Sequence, residues 1–190
     1  MKKITQSGFT LLELMVVIAM MGVLMAVGIP TFTSMMETSE LSDTANELVL
    51  SLRKARAEAI VSGRDAVVCS SIDESSCSNV ADKWNKGWLI MVDRNFDGNY
   101  KESDGELVWV KQLKSNTRIT IKGSPDTGTV GATADFTDKV VFSYTGEIKS
   151  GKSGDFHVCS GATGSGYLQR EISVTVGGEA TLFKNPATKC

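Results

Sequence analysis

From Phe9 to Ile29 the chain runs FTLLELMVVIAMMGVLMAVGI, 21 residues with one charge, Glu13. At about 1.5 Å per residue a helix of this length reaches about 30 Å, the thickness of a bilayer's hydrocarbon core. Lys2 and Lys3 stand before the run, and the next basic residue is Arg53. The positive-inside rule therefore predicts a single-pass segment with a cytoplasmic N-terminus and everything after Pro30 on the far side. The whole chain has a formal net charge of −2, so it offers no polybasic surface of the kind that binds nucleic acid.

A secretory signal carries its small-residue cleavage site after the apolar stretch, which is then lost. Here the small residue, Gly8, comes before it, in MKKITQSG followed by FTLLE. A cut after Gly8 discards a basic octapeptide and leaves the apolar helix on the mature protein. Glu13 would then be the fifth residue of a membrane helix. An acidic side chain costs about 2.5–3.5 kcal/mol at the centre of such a helix and less near an end, so it needs a partner. The new α-amine of Phe9 lies one helical turn away, and pairing between neighbouring chains would make Glu13 an assembly device.

Gly8-Phe9-Thr10-Leu11-Leu12-Glu13 and the apolar run behind it resemble the cleavage and assembly motif of type IV prepilins and pseudopilins. The resemblance implies that a prepilin peptidase cuts between Gly8 and Phe9 and methylates the Phe9 amine. It also implies an inner-membrane anchor, an assembly platform, and other pilins as partners through their N-terminal helices. Ala55-Arg56-Ala57-Glu58-Ala59-Ile60, Trp84 with Gly87-Trp88, Asp93-Arg94-Asn95-Phe96-Asp97-Gly98, and Arg170-Glu171-Ile172-Ser173-Val174 before Gly177-Gly178 resemble the pseudopilin H and FimT/FimU minor pilin family. The function this implies is a minor pilin that primes or joins a type IV pilus. Minor pseudopilin H of a type II secretion system is the first alternative, and a DNA-binding minor pilin the second. For the latter, the stretch corresponding to the basic hairpin carries Glu179, with only Lys184 and Lys189 nearby, so nucleic acid is not an expected partner.

Apolar residues continue at three- and four-residue spacing after Pro30: Phe32, Met35, Met36, Leu41, Ala45, Leu48, Val49, Leu52, Ala55, Ala59 and Ile60. This predicts one helix from about Phe9 to Ser62, lipidic then amphipathic, stopped at Gly63. Alternation and β-branched residues predict strands near 66–70, 88–93, 106–113, 117–122, 139–144, 155–159, 168–176 and 180–183, with loops at 123–137 and 161–166. The fold class expected is α+β and pilin-like, a long N-terminal helix packed on an antiparallel sheet. The expected segments are a leader (1–8), a transmembrane half-helix (9–29), an amphipathic half (30–63) and a β-rich periplasmic headgroup (64–190).

Cys69, Cys77, Cys159 and Cys190 are an even number in a domain placed outside the cytoplasm, which predicts two disulfides. Of the three connectivities we prefer Cys69–Cys77, closing a short polar loop, with Cys159–Cys190. Zinc is disfavoured because no CxxC pair occurs and His157 is the only histidine. Asp93, Asn95, Asp97, Gly98 and Asp104 fit positions 1, 3, 5, 6 and 12 of a calcium loop. Asp104 is not the usual bidentate Glu, Lys101 takes position 9, and the flanks read as strands. The same residues suit a plain hairpin turn, which is the preferred reading, with calcium as the alternative and no other cofactor expected. No nucleotide-binding or hydrolase motif occurs, so no enzymatic activity is expected and His157 is assigned to a half-buried strand position. Trp88 and Trp109 are expected to pack against the helix.

Overall fold

A computed structural model describes residues 8–78, 80, 83–98, 100–113, 119–125, 136–160 and 169–184, without the side chains of 27–31, 33, 34, 119 and 122–125. Helix α1 runs Leu11–Ser62 without interruption at Pro30. The chain divides into two compact units, Met1–Thr38 and Ser39–Cys190. In the first, the described apolar side chains from Leu11 to Met25 are exposed, as are Phe32, Met35 and Met36. Among the described residues no helix is long and apolar enough to cross a membrane. The described side chains of the apolar run stop at Ala26, and the rest of the expected span, residues 27–29, lies outside them.

In the second unit α1 buries one face: Leu41, Ala45, Leu48, Val49, Leu52, Ala55 and Ala59. Steps of three and four residues put these side chains on one stripe. Each large one removed from water contributes about 1.5–3 kcal/mol, and the three alanines let strands approach the helix backbone. Ile60 falls outside the stripe and is half exposed. Gly63, at φ +66°, ends the helix where the sequence predicts. The Arg64 N–H turns back to the Ala59 carbonyl at 3.2 Å, a bond of the kind that closes helices ending in a left-handed glycine.

Eight strands follow: β1 (Ala66–Ser70), β2 (Gly87–Val92), β3 (Leu107–Gln112), β4 (Ile119–Pro125), β5 (Lys139–Phe142), β6 (Gly154–Ser160), β7 (Gln169–Val174) and β8 (Ala180–Lys184). They form two four-stranded antiparallel sheets, β3-β2-β1-β5 and β4-β6-β7-β8, where the sequence suggested one. β4 also extends to Pro125, so the expected loop at 123–137 starts as strand. Both sheets and the helix share one core, in which Ala66, Val68, Trp88, Ile90, Phe142, Phe156, Val158, Ile172 and Val174 meet the α1 face.

Two tryptophans are locked into that core by their indole N–H groups. Trp88 Nε1 donates to Ser51 Oγ of α1 at 2.8 Å. Trp84, in a 3-10 turn Trp84–Lys86, donates to the Phe136 and Thr137 carbonyls at 3.0 Å each, with its ring edge-on to Phe156. Trp109 departs from expectation. It is 40% exposed, with Lys54 Nζ 4.4 Å from its ring centre. β3 is an edge strand, so a position facing α1 is covered on one side only.

β1 and β2 are buried along their whole length, because both faces of their sheet are covered. Val67, Cys69, Leu89 and Met91 face away from the helix into a second cluster with Cys77, Tyr100, Leu107, Val110 and Val141. The Cys69–Cys77 disulfide, as expected, draws residues 70–78 over this face. By chain-entropy arguments such a short loop is worth about 2–3 kcal/mol. Inside it Asp73 accepts hydrogen bonds from the amides of Ser75 and Ser76 and from the Ser76 and Ser71 hydroxyls. These bonds, those from Ser76 foremost, hold its carboxyl well below the usual carboxylate range. Cys159 is also disulfide-bonded; its expected partner, Cys190, lies outside the described residues.

The turns after β5 and between β7 and β8 meet closely at the end of α1. Arg56 Nε donates to the Gly146 carbonyl at 2.9 Å, and Arg53 Nη2 to the Ala180 carbonyl at 3.0 Å. Gly178, at φ +75°, lies so near that a Cβ there would stand 2.2 Å from the Gly146 oxygen. Gly178→Ala should therefore destabilise the protein by about 2–4 kcal/mol, read as a lowered Tm by circular dichroism. Trp88→Phe leaves Ser51 without its donor and opens a void, so it should cost about 2 kcal/mol in the same assay, against under about 0.5 kcal/mol for Trp109→Phe. Asp73 has its folded pKa depressed, so its contribution is fully present above its ordinary value of 3.8 and is lost as pH falls below it. Exchange of the Ser75 and Ser76 amides should accelerate relative to the core only under acid conditions. An Asp73→Asn variant should show the weaker protection already at neutral pH.

Candidate functional site

The N-terminal motif sits at the start of α1. The helix begins at Leu11 instead of Phe9, because Thr10 takes the capping position. Thr10 Oγ1 accepts the Glu13 N–H at 3.2 Å, and the Thr10 carbonyl accepts the Leu14 N–H at the same distance. Thr10 and Glu13 are thus the first and fourth residues of a Ser/Thr-x-x-Glu capping pattern. The pattern is legible in the sequence, and the capping role of Thr10 follows once the helix start at Leu11 is known. Glu13 lies in the first turn, where the unsatisfied amides of a helix favour a negative charge. Gly8, Phe9 and Glu13 are all exposed, Phe9 at 86%.

The second constellation is the connection from β2 to β3. Asp93 follows β2, and its Oδ2 accepts the Gly98 N–H at 3.1 Å. Phe96 and Gly98 have positive φ, 62° and 72°, which bends the chain sharply around Asp97. Glu106, just before β3, is fully buried. Its Oε1 accepts the Arg94 N–H at 3.0 Å and its Oε2 the Lys101 N–H at 3.1 Å. One carboxylate thereby holds both ends of the loop 94–101. Carboxylate oxygens of Asp93, Asp97 and Glu106 lie within 4.8 Å of one another. Tyr100, partly buried beside them, has its phenol pushed up, first by burial and then by Asp93, Asp65, Glu106 and Asp97.

This differs from the calcium-loop alternative drawn from spacing. Asp93 and Asp97 are brought together as that spacing requires, but their third carboxylate is Glu106. Asn95 and Asp104 pair with each other instead, Nδ2 to Oδ2 at 3.3 Å. A short 3-10 turn, Glu102–Asp104, keeps Asp104 exposed on the outside of the loop. The helix-flanked template fails because strands flank this loop and set a different reach across it.

Among the described residues, the remaining candidates are not part of the β2–β3 connection. His157 is half-buried in β6 with Nδ1 3.1 Å from Gln169 Nε2, in keeping with a structural position. Glu179 lies exposed in the β7–β8 turn and Lys184 is exposed at the end of β8; Lys189 lies outside the described residues.

Residues 44–178 match the family model described as type II transport protein GspH, and residues 4–29 match the prokaryotic N-terminal methylation motif. A fimbrial protein of Pseudomonas aeruginosa is 37% identical over 125 residues, which cover 63% of this chain and 75% of that protein. The type IV major fimbrial protein FimA of Dichelobacter nodosus is 31% identical over 134 residues, 64% and 79% of the two chains. The crystal structure of the type IV minor pilin FimU of Pseudomonas aeruginosa shares the fold, with a TM-score of 0.52 at 19% identity over 80% of this chain and 93% of that one. The GspH match spans α1 from residue 44 onward and strands β1 to β7, and the methylation motif covers the capped start of the same helix: the chain belongs to the GspH family of pilins and pseudopilins.

Proposed function

We propose that the protein is a minor pilin, a structural subunit that primes or joins a type IV pilus. The observation that carries this reading is the methylation motif over residues 4–29 continued, in the single helix α1, into the GspH-matched headgroup. In the proposed sequence of events, the leader 1–8 is removed by a prepilin peptidase between Gly8 and Phe9, and the new amine is methylated. The mature chain is held in the inner membrane through residues 9–29 with its headgroup in the periplasm. Thr10 then caps the helix as its second residue, and Glu13 stays near the start of the membrane segment. An assembly platform brings the subunit to the filament base. There Glu13 pairs with the Phe9 amine of a neighbour, removing two charges that are each costly in lipid. The fimbrial relatives favour this reading. The description of the family model favours a second, the minor pseudopilin of a type II secretion system, which uses the same anchor and assembly chemistry.

Intact mass and N-terminal sequencing of the protein from cells with and without the peptidase test the first step. A mature chain starting at methylated Phe9 only when the peptidase is present is the expected result, with Gly8→Ala accumulating the uncut form. A retained leader, or a cut beyond Ile29, would overturn the pairing mechanism. Glu13→Ala should be processed normally yet be absent from sheared filaments; incorporation at wild-type level would remove Glu13 from the assembly role. Deleting the gene should abolish surface pili and leave protein secretion unchanged, whereas the reverse outcome selects the secretion reading.

A further inference from the structure

We propose that the β2–β3 connection is a calcium site formed by the carboxylates of Asp93, Asp97 and Glu106. One oxygen from each lies within 4.8 Å of the other two. Calcium binds oxygens at about 2.3–2.6 Å, so two ligands of one ion stand no more than about 5 Å apart. The cluster is within that limit as it stands.

An acidic cluster alone would be unremarkable on an exposed turn. This one is rooted in the interior: Glu106 is fully buried and Asp93 is 4% exposed. Oδ2 of Asp93 accepts the Gly98 amide, but Oδ1 of the same carboxylate is buried with no hydrogen-bond partner among the described residues. A buried carboxylate oxygen without a donor is costly, and native structures meet that cost with water or an ion. The donors that reach Asp93 and Glu106 are backbone amides, and neither residue is in an ion pair among the described residues. Amides satisfy individual lone pairs but do not cancel the summed negative charge.

Donor chemistry selects the ion. The three groups are hard oxygens with no histidine or thiolate in the cluster among the described residues, which disfavours the softer transition metals as the natural occupants. The ligands come from both sides of an irregular loop, an arrangement suited to calcium's flexible coordination; magnesium demands near-ideal octahedral geometry and gives up its waters reluctantly. The frame is also in place before the ion arrives. Glu106 clamps the loop ends, and a bridge between Ser76 and Lys101 joins the loop to the Cys69–Cys77 segment. Calcium would then fasten the β2–β3 connection over the outer face of the first sheet.

Titration of the full chain in detergent with terbium, excited through the aromatic side chains, tests the proposal directly, because Tyr100 stands beside the cluster. Sensitised emission that calcium displaces is expected, with a calcium Kd on the order of 10⁻⁴–10⁻³ M, as in extracellular modules. Saturating calcium should raise Tm by roughly a few degrees, and chelation should reverse it. Asp97 is exposed, so Asp97→Asn should keep the fold while weakening binding by about tenfold or more. Asp104→Asn should stay within about twofold of wild type. Absence of both terbium emission and a calcium-dependent Tm shift would overturn the site. Binding that survives Asp97→Asn and disappears in Asp104→Asn would overturn the assignment of residues, and displacement by magnesium as effective as by calcium would overturn the choice of ion. None of these readouts depends on processing or filament assembly, so the site can fail without touching the proposed function, and the reverse.

Discussion

The folded unit depends on one stripe of α1. Leu41, Leu48, Leu52 and the alanines at 45, 55 and 59 are the surface against which both four-stranded sheets bury their inner faces. Neither sheet alone encloses a core, and the helix is their common wall. Small side chains there matter as much as large ones, since they admit Trp88 near enough for its indole to reach Ser51. Arg53 and Arg56 sit one step off the stripe and donate to the Ala180 carbonyl at the start of β8 and to the Gly146 carbonyl in the turn after β5, so the polar flank of the helix also ties down the headgroup.

The first sheet has a second requirement. Its strands are apolar on both faces, and no second helix is available to cover the outer one among the described residues. The covering is made of loops: the disulfide-closed segment 69–77 and the connection clamped by Glu106. Loops carry many backbone polar groups for little apolar area, so they need fastening to stay in place. That explains why a disulfide, the hydrogen-bonded Asp73 turn and a buried carboxylate are concentrated within a short stretch around β1, β2 and β3.

The N-terminal motif obeys a different logic. Its residues are exposed, and apart from the Thr10 cap they have little to do for the fold. In the function proposed above, Gly8, Phe9 and Glu13 act in processing and on other chains, and they are legible by type and spacing alone. A helix start is also a favourable place for a lone carboxylate.

The sequence by itself determined the long helix and its glycine stop, the eight strand positions, the Cys69–Cys77 pair and the prepilin-type motif. Each is written in local periodicity, turn chemistry or short spacing, which need no knowledge of distant residues. Only the tertiary structure decided that the strands divide into two sheets, that Trp109 lies half-open at an edge while Trp84 is enclosed, and that Glu106 joins Asp93 and Asp97 in place of Asp104. These outcomes hang on which strands become neighbours and how far a loop reaches across them. Strand pairing is a long-range competition in which many registers satisfy the same alternation of apolar and polar residues, so the sequence leaves it open until the helix face selects one.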